Sequence, residues 1–220
     1  NAYLQQKIRL FRHTPAWLDR IWDHPALLRL LAGQGASVDP EKLGGMTVSM
    51  LQGELGNQRK ELDRLVDWLI NEVQPDIVHL SNSMMLGLAR KITERCGPPI
   101  VCSLSGEDIF LEKIRPPYYV RTRQLLRERA AEIQAFVALN EYYANFMSEY
   151  LSIGREQVHV IPHGLNLEGH GSPHKKSTEG PQRIGYLARI CKDKGLHLLL
   201  EACEILIQEH GCTNIEVHAA

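Results

Sequence analysis

Apolar positions along the chain follow two alternating spacings. Six short runs of β-branched and other apolar residues have the length and composition of buried strands. These runs lie at residues 77–80, 100–102, 136–139, 158–161, 184–187 and 215–218. Between them, apolar residues recur every three or four positions over 62–73, 143–151 and 196–206, which predicts helices buried on one face. The alternation predicts an α/β fold of parallel sheets with helices on both faces.

One stretch interrupts this alternation. Residues 167–182 are rich in glycine, proline and small polar residues, a composition that is typical of a linker because it buries no apolar face. We therefore expect a partial N-terminal α/β domain over 1–168, a linker over 169–182 and the start of a second α/β domain over 183–220. The chain begins at Asn1 instead of a methionine and ends at Ala220, just after the sixth apolar run, as a strand cut off within a domain would, so we expect a fragment of a longer protein.

Composition narrows the class of protein. Lysine and arginine total 25 against 26 aspartates and glutamates, and this balance argues against a nucleic-acid partner, which favours a basic excess. No apolar run approaches the roughly 20 residues that cross a bilayer, and no signal-peptide pattern opens the chain. The five cysteines include no Cys-x-x-Cys pair, so a reduced, cytoplasmic location is favoured over a disulfide framework.

Two stretches of the sequence have a peripheral membrane contact as an alternative interpretation. Trp17, Leu18, Ile21 and Trp22 form a helical stripe near several arginines, and the favoured interpretation is a helix packed on the sheet or beside the cleft. Five further arginines alternate with glutamates around a predicted helix, for which a solvated face is favoured over an anionic-lipid surface. They are Arg115, Arg121, Arg123, Arg127 and Arg129.

The segment 187–196 joins a predicted strand to a predicted helix, with Asp193 as the expected N-cap of that helix. Such a loop lies at the carboxyl edge of a parallel sheet, where α/β folds bind ligands. Arg189, Lys192 and Lys194 crowd a helix start that is already positive, which suggests that an anion such as a diphosphate binds there. A solvated basic loop is the alternative on charge alone.

The spacing Gly185-x-x-x-Arg189, followed by Lys194-Gly195, resembles the donor-phosphate loop of family-4 glycosyltransferases. Further segments are similar to successive strands and turns of that family. They are residues 75–83, 99–108, 137–143 and 160–166. The chain departs from the family pattern at Ser105, where a histidine is common, at Ala188 for glycine and at Asn166 for aspartate. The resemblance implies the GT-B fold, two Rossmann-like parallel-sheet domains, here with the first lacking its N-terminal strands and the second truncated.

The resemblance also implies an activity. It predicts a retaining, metal-independent, hexosyltransferase-like enzyme with no cofactor, which moves a sugar from a nucleotide-diphosphate sugar to a hydroxyl of a carbohydrate or lipid-linked acceptor. We expect the enzyme in the cytoplasm or at the inner face of the membrane, and the fragment alone to be inactive. A GT-B sugar-nucleotide epimerase and a non-catalytic GT-B scaffold are the alternatives.

The same resemblance assigns site residues. Arg189 and Lys194 are the expected catalytic residues because they would stabilise the leaving diphosphate, and Gly195 and Gly164 would complete the donor site. Six residues that follow predicted strand ends fall on the acceptor side of the cleft. They are Ser81, Asn82, Ser105, Gly106, Glu107 and Asp108.

Several of these side chains have a structural alternative. Glu107 or Asp108 is suited either to an acceptor hydroxyl or to capping the next helical turn, and Asn140 to a helix N-cap or a cleft contact. His163, His170 and His174 lie without cysteines near the linker, and no metal site is predicted. His79 falls within a predicted strand and is expected to be a core histidine with a hydrogen-bond partner.

Overall fold

A computed structural model describes residue 6, residues 40–169 and residues 180–220. All six predicted strands are present, with ends that lie within two residues of the predicted ones. They are β1 (Val78–Leu80), β2 (Ile100–Leu104), β3 (Ala135–Ala138), β4 (Val158–Val160), β5 (Gln182–Tyr186) and β6 (Ile215–Ala219). The α-helices are α1 (Pro40–Leu51), α2 (Arg59–Trp68), α3 (Ala89–Cys96), α4 (Asp108–Leu111), α5 (Tyr118–Ala130), α6 (Glu141–Leu151) and α7 (Leu196–His210).

The two sheets are parallel, which confirms the α/β class. Strands β1 to β4 form one sheet in sequential order, and β5 pairs with β6 in a second. In the first sheet, one row across the strands consists of Leu80, Cys102, Phe136 and Val158. All four side chains are buried, so this face of the sheet carries the hydrophobic core.

Within residues 40–169, the opposite face of the first sheet is only partly buried, whereas the sequence predicts cover on both faces. Val101 and Val137 are half-buried there, and His79 and His159 are exposed. Parallel strands that follow one another in order are joined by right-handed crossovers, which place all connecting helices on the same face. The prediction that His79 is a core residue is therefore wrong, although its Nε2 lies 2.7 Å from Ser103 Oγ on the neighbouring strand.

The helix predicted over 62–73 is divided. Helix α2 ends at Trp68, and the chain continues as a π-helical turn over Leu69–Val73. Gln74 then adopts a left-handed conformation, with φ of 46°, and its N–H donates to the Leu69 carbonyl. This C-terminal cap ends the helical stretch before β1 begins.

Arg129 contradicts the expectation of a solvated arginine face on α5. Only 4% of its surface is exposed, and its guanidinium donates to the carbonyls of Leu51 and Gln52 at the end of α1. The Glu54 carboxylate accepts from the same guanidinium at 3.0 Å. Arg129 therefore joins α5 to the end of α1, where helical carbonyls lack partners within their own helix. Arg115, Arg121 and Arg127 are exposed, as expected of that face.

Contacts divide the chain into two compact units, Asn1–Leu165 and Asn166–Ala220. The second unit contains β5, α7 and β6, and Cys203 on α7 is the buried hydrophobic residue among the described residues of this unit. The Trp17–Trp22 stripe and residues 170–179 of the expected linker, which include His170 and His174, lie outside the described residues. Among the helices that the structure describes, none has the length and apolar character to span a bilayer.

Candidate functional site

The predicted acceptor-side residues of the first unit lie together where β1 and β2 end. After β1, Asn82 caps the 3₁₀-helix Ser83–Leu88, because its Oδ1 accepts from the backbone N–H of Met84 at 3.1 Å. The neighbouring Ser81 is exposed, and its hydroxyl donates to the sulfur of Met85 at 3.6 Å. The Asn82 side chain is therefore engaged with the backbone, whereas the Ser81 hydroxyl borders solvent.

Glu107 joins the two loops that follow β1 and β2. Its Oε1 accepts from the backbone N–H of Ser83 at 2.9 Å, and its Oε2 accepts from that of Ser105 at 2.7 Å. The side chain is buried, with 6% of its surface exposed. Both carboxylate oxygens thus accept from backbone groups of the two loops, and the Glu107 side chain makes no capping hydrogen bond to α4, the next helical turn. Burial, and secondarily the charge of Glu107, raise the pKa of the buried Cys102 thiol.

Tyr143 is a residue of this site that the sequence analysis placed only in a helical stripe. Its hydroxyl donates to Asp108 Oδ1 at 2.6 Å and accepts from the backbone N–H of Gly106 at 2.9 Å. Burial and the hydrogen bond to Asp108 raise the pKa of the Tyr143 hydroxyl above its ordinary value. The backbone at Tyr143 is held in place as well, because Asn140 Oδ1 accepts from the Tyr143 N–H at 2.8 Å and caps α6.

The edge of this sheet therefore has a fixed backbone and few unused polar groups. Gly106 adopts φ of 97°, a left-handed conformation that favours glycine, so the chain turns sharply between Ser105 and Glu107. Ser105 and Ser81 remain exposed beside this turn. The bonds that Glu107 accepts from the two loops, and those of Tyr143 with Asp108 and Gly106, hold the backbone beside the two exposed serines in place, as a binding edge requires.

The predicted donor-side residues Arg189, Lys194 and Gly195 lie in the second unit, in the loop after β5. A 3₁₀ turn covers Lys192–Lys194, and α7 begins at Leu196 with Gly195 at the N-cap position, with φ of 74°. The expectation that Asp193 caps this helix is wrong. A left-handed glycine places the cap two residues further along, and Asp193 belongs to the 3₁₀ turn that precedes it.

Tyr186, at the end of β5, holds this loop in shape and was not singled out from the sequence. Its hydroxyl lies 3.5 Å from the carbonyl oxygen of Arg189 and donates to that of Lys194 at 3.2 Å. Both contacts use backbone atoms, and the side chains of Arg189 and Lys194 are exposed. Within the described part of the chain, neither cationic group has a hydrogen-bond or ion-pair partner of its own. The loop therefore exposes two cationic side chains, while hydrogen bonds to Tyr186 hold its backbone in place.

Gly164 follows β4, close to the end of the first unit, and is exposed. A Cβ added to it would meet no atom within 4 Å among the described residues. His163 beside it is exposed as well. A search of the described residues for three or more histidine, cysteine or acidic side chains grouped as metal ligands finds no such cluster.

Comparison with known families settles which family this fold represents. The sequence model of Glycosyltransferase Family 4 matches residues 46–168, which is more than half of the 220-residue chain. The chain belongs to glycosyltransferase family 4. The match covers the four-stranded sheet, the Glu107 turn and Gly164. A search of curated proteins gives no match to this chain.

Proposed function

We propose that the protein transfers a sugar from a nucleotide-diphosphate sugar to a hydroxyl of a carbohydrate or lipid-linked acceptor, with retention of anomeric configuration and without a metal ion or other cofactor. The observation that carries this proposal is the family-4 match over the unit that contains the exposed serines Ser81 and Ser105. Glycosyltransferase membership gives the reaction type, and the braced basic loop of the second unit supports the choice of donor.

The chemistry of the leaving group explains the role we assign to that loop. When the glycosidic bond breaks, negative charge develops on the departing diphosphate, and cationic groups placed there lower the barrier. Arg189 would bind diphosphate oxygens through its planar guanidinium, and Lys194 would act as a compact charge. Gly195, which carries no side chain, would let the donor approach the backbone closely. A role of Gly164 in donor binding stays a prediction. Two such cations can supply the charge stabilisation that a metal supplies in other transferases.

On the acceptor side, the role falls to the exposed groups of the sheet edge. Ser81 and Ser105 would bind acceptor hydroxyls, whereas Asn82, Gly106, Glu107 and Asp108 would position the loops that carry them, together with Tyr143. The charge balance of the chain favours a sugar or lipid-linked acceptor over a nucleic acid. A cytoplasmic location or the inner face of the membrane remains part of this proposal.

The experiment uses the intact natural protein with radiolabelled UDP-, GDP- and ADP-sugars and a panel of acceptors. We expect Arg189→Ala and Lys194→Ala each to lower turnover about 100- to 1,000-fold, as removal of one charge-stabilising group does. Arg183→Ala is the matched control, because Arg183 carries the same charge on β5 and pairs with Glu216 at 3.2 Å. Near-normal turnover of Arg189→Ala would overturn the assignment.

Four further readouts test the finer parts of the proposal. The anomeric configuration of the product, measured by NMR, should match that of the donor, and activity should survive EDTA. Formation of a free epimerised nucleotide sugar without acceptor would identify the epimerase alternative instead. Binding of donor without any turnover across the panel would support the non-catalytic scaffold.

A further inference from the structure

A pocket of about 220 Å³ lies between α1, α2 and the 3₁₀-helix Ser83–Leu88 in the first unit. Its described walls are mainly methionine and leucine side chains. They include Met46, Met50, Met84, Met85, Leu62 and Leu65. The whole chain has five methionines, so four of them meet at one pocket. The fifth, Met147, is fully buried in the core on α6.

Methionine side chains are suited to one kind of ligand in particular. They are unbranched and have three rotatable bonds, so a methionine wall adapts to the bends of a flexible apolar chain, whereas branched side chains offer a fixed shape. The pocket is smaller than the 300 Å³ or more that is typical of sites for drug-sized ligands. Both features favour a slender hydrocarbon chain over a ring system.

The polar side chains of the pocket already have hydrogen-bond or ion-pair partners within the protein. Ser49 donates to Gln58 Oε1 at 2.7 Å and accepts from the backbone N–H of Asn57 at 2.7 Å. Gln58 in turn donates to Gln6 at 3.0 Å, and Glu61 accepts from Arg64 at 3.3 Å. Because these groups have partners, a polar ligand would give up its hydrogen bonds to water without gaining others. An apolar ligand makes no hydrogen bonds to water and therefore has none to lose on binding.

The position of the pocket connects it to the acceptor side of the sheet edge. Met84 and Met85 line the pocket and lie two and three residues after Asn82 in the chain. The sulfur of Met85 also accepts the hydrogen bond from the exposed Ser81 hydroxyl at 3.6 Å. One side chain therefore separates the apolar pocket from a hydroxyl that we assign to acceptor binding. A ligand with an apolar end in the pocket and a polar end near Ser81 matches this arrangement.

We propose that this methionine pocket binds a single hydrocarbon chain carried by the acceptor, so that the acceptor is amphiphilic. That the hydrocarbon chain belongs to an acceptor rests on the proposed function. That the pocket binds a hydrocarbon chain rests on the side chains and volume of the pocket alone. Burial of each further methylene contributes about fourfold in affinity. Chain length should therefore control binding until the pocket is full.

The direct test is methyl NMR of the intact protein labelled with [¹³C-methyl]methionine, titrated with n-octyl β-D-glucoside below its critical micelle concentration. We expect the signals of Met46, Met50, Met84 and Met85 to shift along one saturation curve while the Met147 signal stays in place. Glucose, which lacks the chain, should shift none of them. The hexyl glucoside should bind about 15-fold more weakly than the octyl compound.

A filling variant sharpens the test. Leu65→Trp puts an indole into the pocket and should abolish the selective shifts, whereas Val73→Trp, at an exposed position outside the pocket, should leave them unchanged. An unchanged Met147 signal in each variant shows that the core remains folded. The absence of selective shifts in the unaltered protein would overturn the proposal, and this includes the case in which another part of the chain already fills the pocket. Equal movement of all five signals would overturn it too.

Transfer assays then separate this inference from the proposed function. A protein that binds the octyl chain at the four methionines but transfers no sugar contradicts the proposed function and still supports the ligand class of the pocket. A protein that transfers sugar equally well to glucose and to octyl glucoside contradicts the inference and leaves the proposed function intact. A lower KM for the octyl acceptor that Leu65→Trp removes would support both.

Discussion

The Glu107 carboxylate accepts the backbone N–H of Ser83 at 2.9 Å, although the two residues lie 24 positions apart and follow different strands. With the second bond, from Ser105, the carboxylate ties the loop after β1 to the loop after β2. Backbone N–H groups in such loops have no ladder partner, and leaving one buried and unpaired is costly. The buried Glu107 side chain therefore holds the two loops together at the sheet edge, while Ser81 and Ser105 are exposed to solvent.

We expect Glu107→Gln to lower the free energy of unfolding by about 1–3 kcal/mol, because glutamine keeps one acceptor oxygen and must leave one of the two N–H groups unpaired. Chemical denaturation of the variant and the parent measures the difference. Glu149→Gln, at an exposed position on α6, makes the same chemical change and should stay within about 0.5 kcal/mol of the parent. Equal effects of the two variants would contradict the structural role of Glu107.

Tyr143→Phe removes the hydroxyl that bonds to Asp108 and Gly106, and we expect a loss of about 1–2 kcal/mol in unfolding free energy. Hydrogen exchange at the Gly106 amide should speed up more than exchange at amides in the centre of α6. Faster exchange throughout the first unit would instead indicate general destabilisation.

The raised pKa of Tyr143 gives this residue a distinct pH dependence. A group whose pKa is raised in the folded state contributes its full stabilisation below its pKa in the unfolded chain, which for tyrosine is about 10. That contribution is lost as the pH rises above 10 toward the folded value. We expect the stability of the parent to fall more steeply between pH 9 and 11 than that of Tyr143→Phe. Parallel curves would show that the hydroxyl does not titrate with unfolding.

The sequence predicts the strands of this fold well because the signal is local. Each run, such as 100–102, is apolar enough to be recognised without knowledge of its neighbours, and the structure extends that one to Leu104. The α/β class follows from the alternation of such runs with helical stripes. The extent of cover on the second face does not follow, since it depends on strand order and crossover direction.

The details of the site depend on contacts between distant residues, and these the sequence does not reveal. Arg129 falls in a charged helical stretch, yet its carbonyl partners, Leu51 and Gln52, lie 78 and 77 positions earlier. Tyr143 has the spacing of a core residue, and only the fold brings its hydroxyl to Asp108. Gly195 was predicted to contact the donor, but its left-handed backbone also sets where α7 begins.

Gly106→Ala tests whether the turn after β2 needs a left-handed residue. At φ of 97° an added Cβ would meet no atom within 4 Å among the described residues, so the expected loss of about 1–2 kcal/mol comes from backbone strain alone. Gly164→Ala is the control, because its surroundings are equally open and its φ is outside the left-handed region. A neutral result for both variants, measured by chemical denaturation, would show that the turn relaxes without cost.

Arg129→Met removes the buried guanidinium and leaves two α1-end carbonyls and the carboxylates of Glu54 and Glu132 without it. Breaking a buried pair costs about 3–5 kcal/mol, and we expect a value near 3 kcal/mol because Glu54 is a quarter exposed and keeps Arg90 at 3.1 Å. Arg121→Met, which disturbs only an exposed pair with Glu128, should cost under about 1 kcal/mol. Thermal or denaturant unfolding measures both.

The same variant should change stability in acid. Burial acts to raise the pKa of Glu54, but hydrogen bonds from the backbone and from Arg129, with the nearby charges of Arg129 and Arg90, outweigh it and leave the pKa below its ordinary value of 4.5. A lowered pKa stabilises the fold above the ordinary value and loses that effect as the pH falls through the folded one. The stability difference between the parent and Arg129→Met should therefore shrink below about pH 4.5. A difference that stays constant down to pH 3 would show that the guanidinium acts through the carbonyls of Leu51 and Gln52 and not through the Glu54 charge.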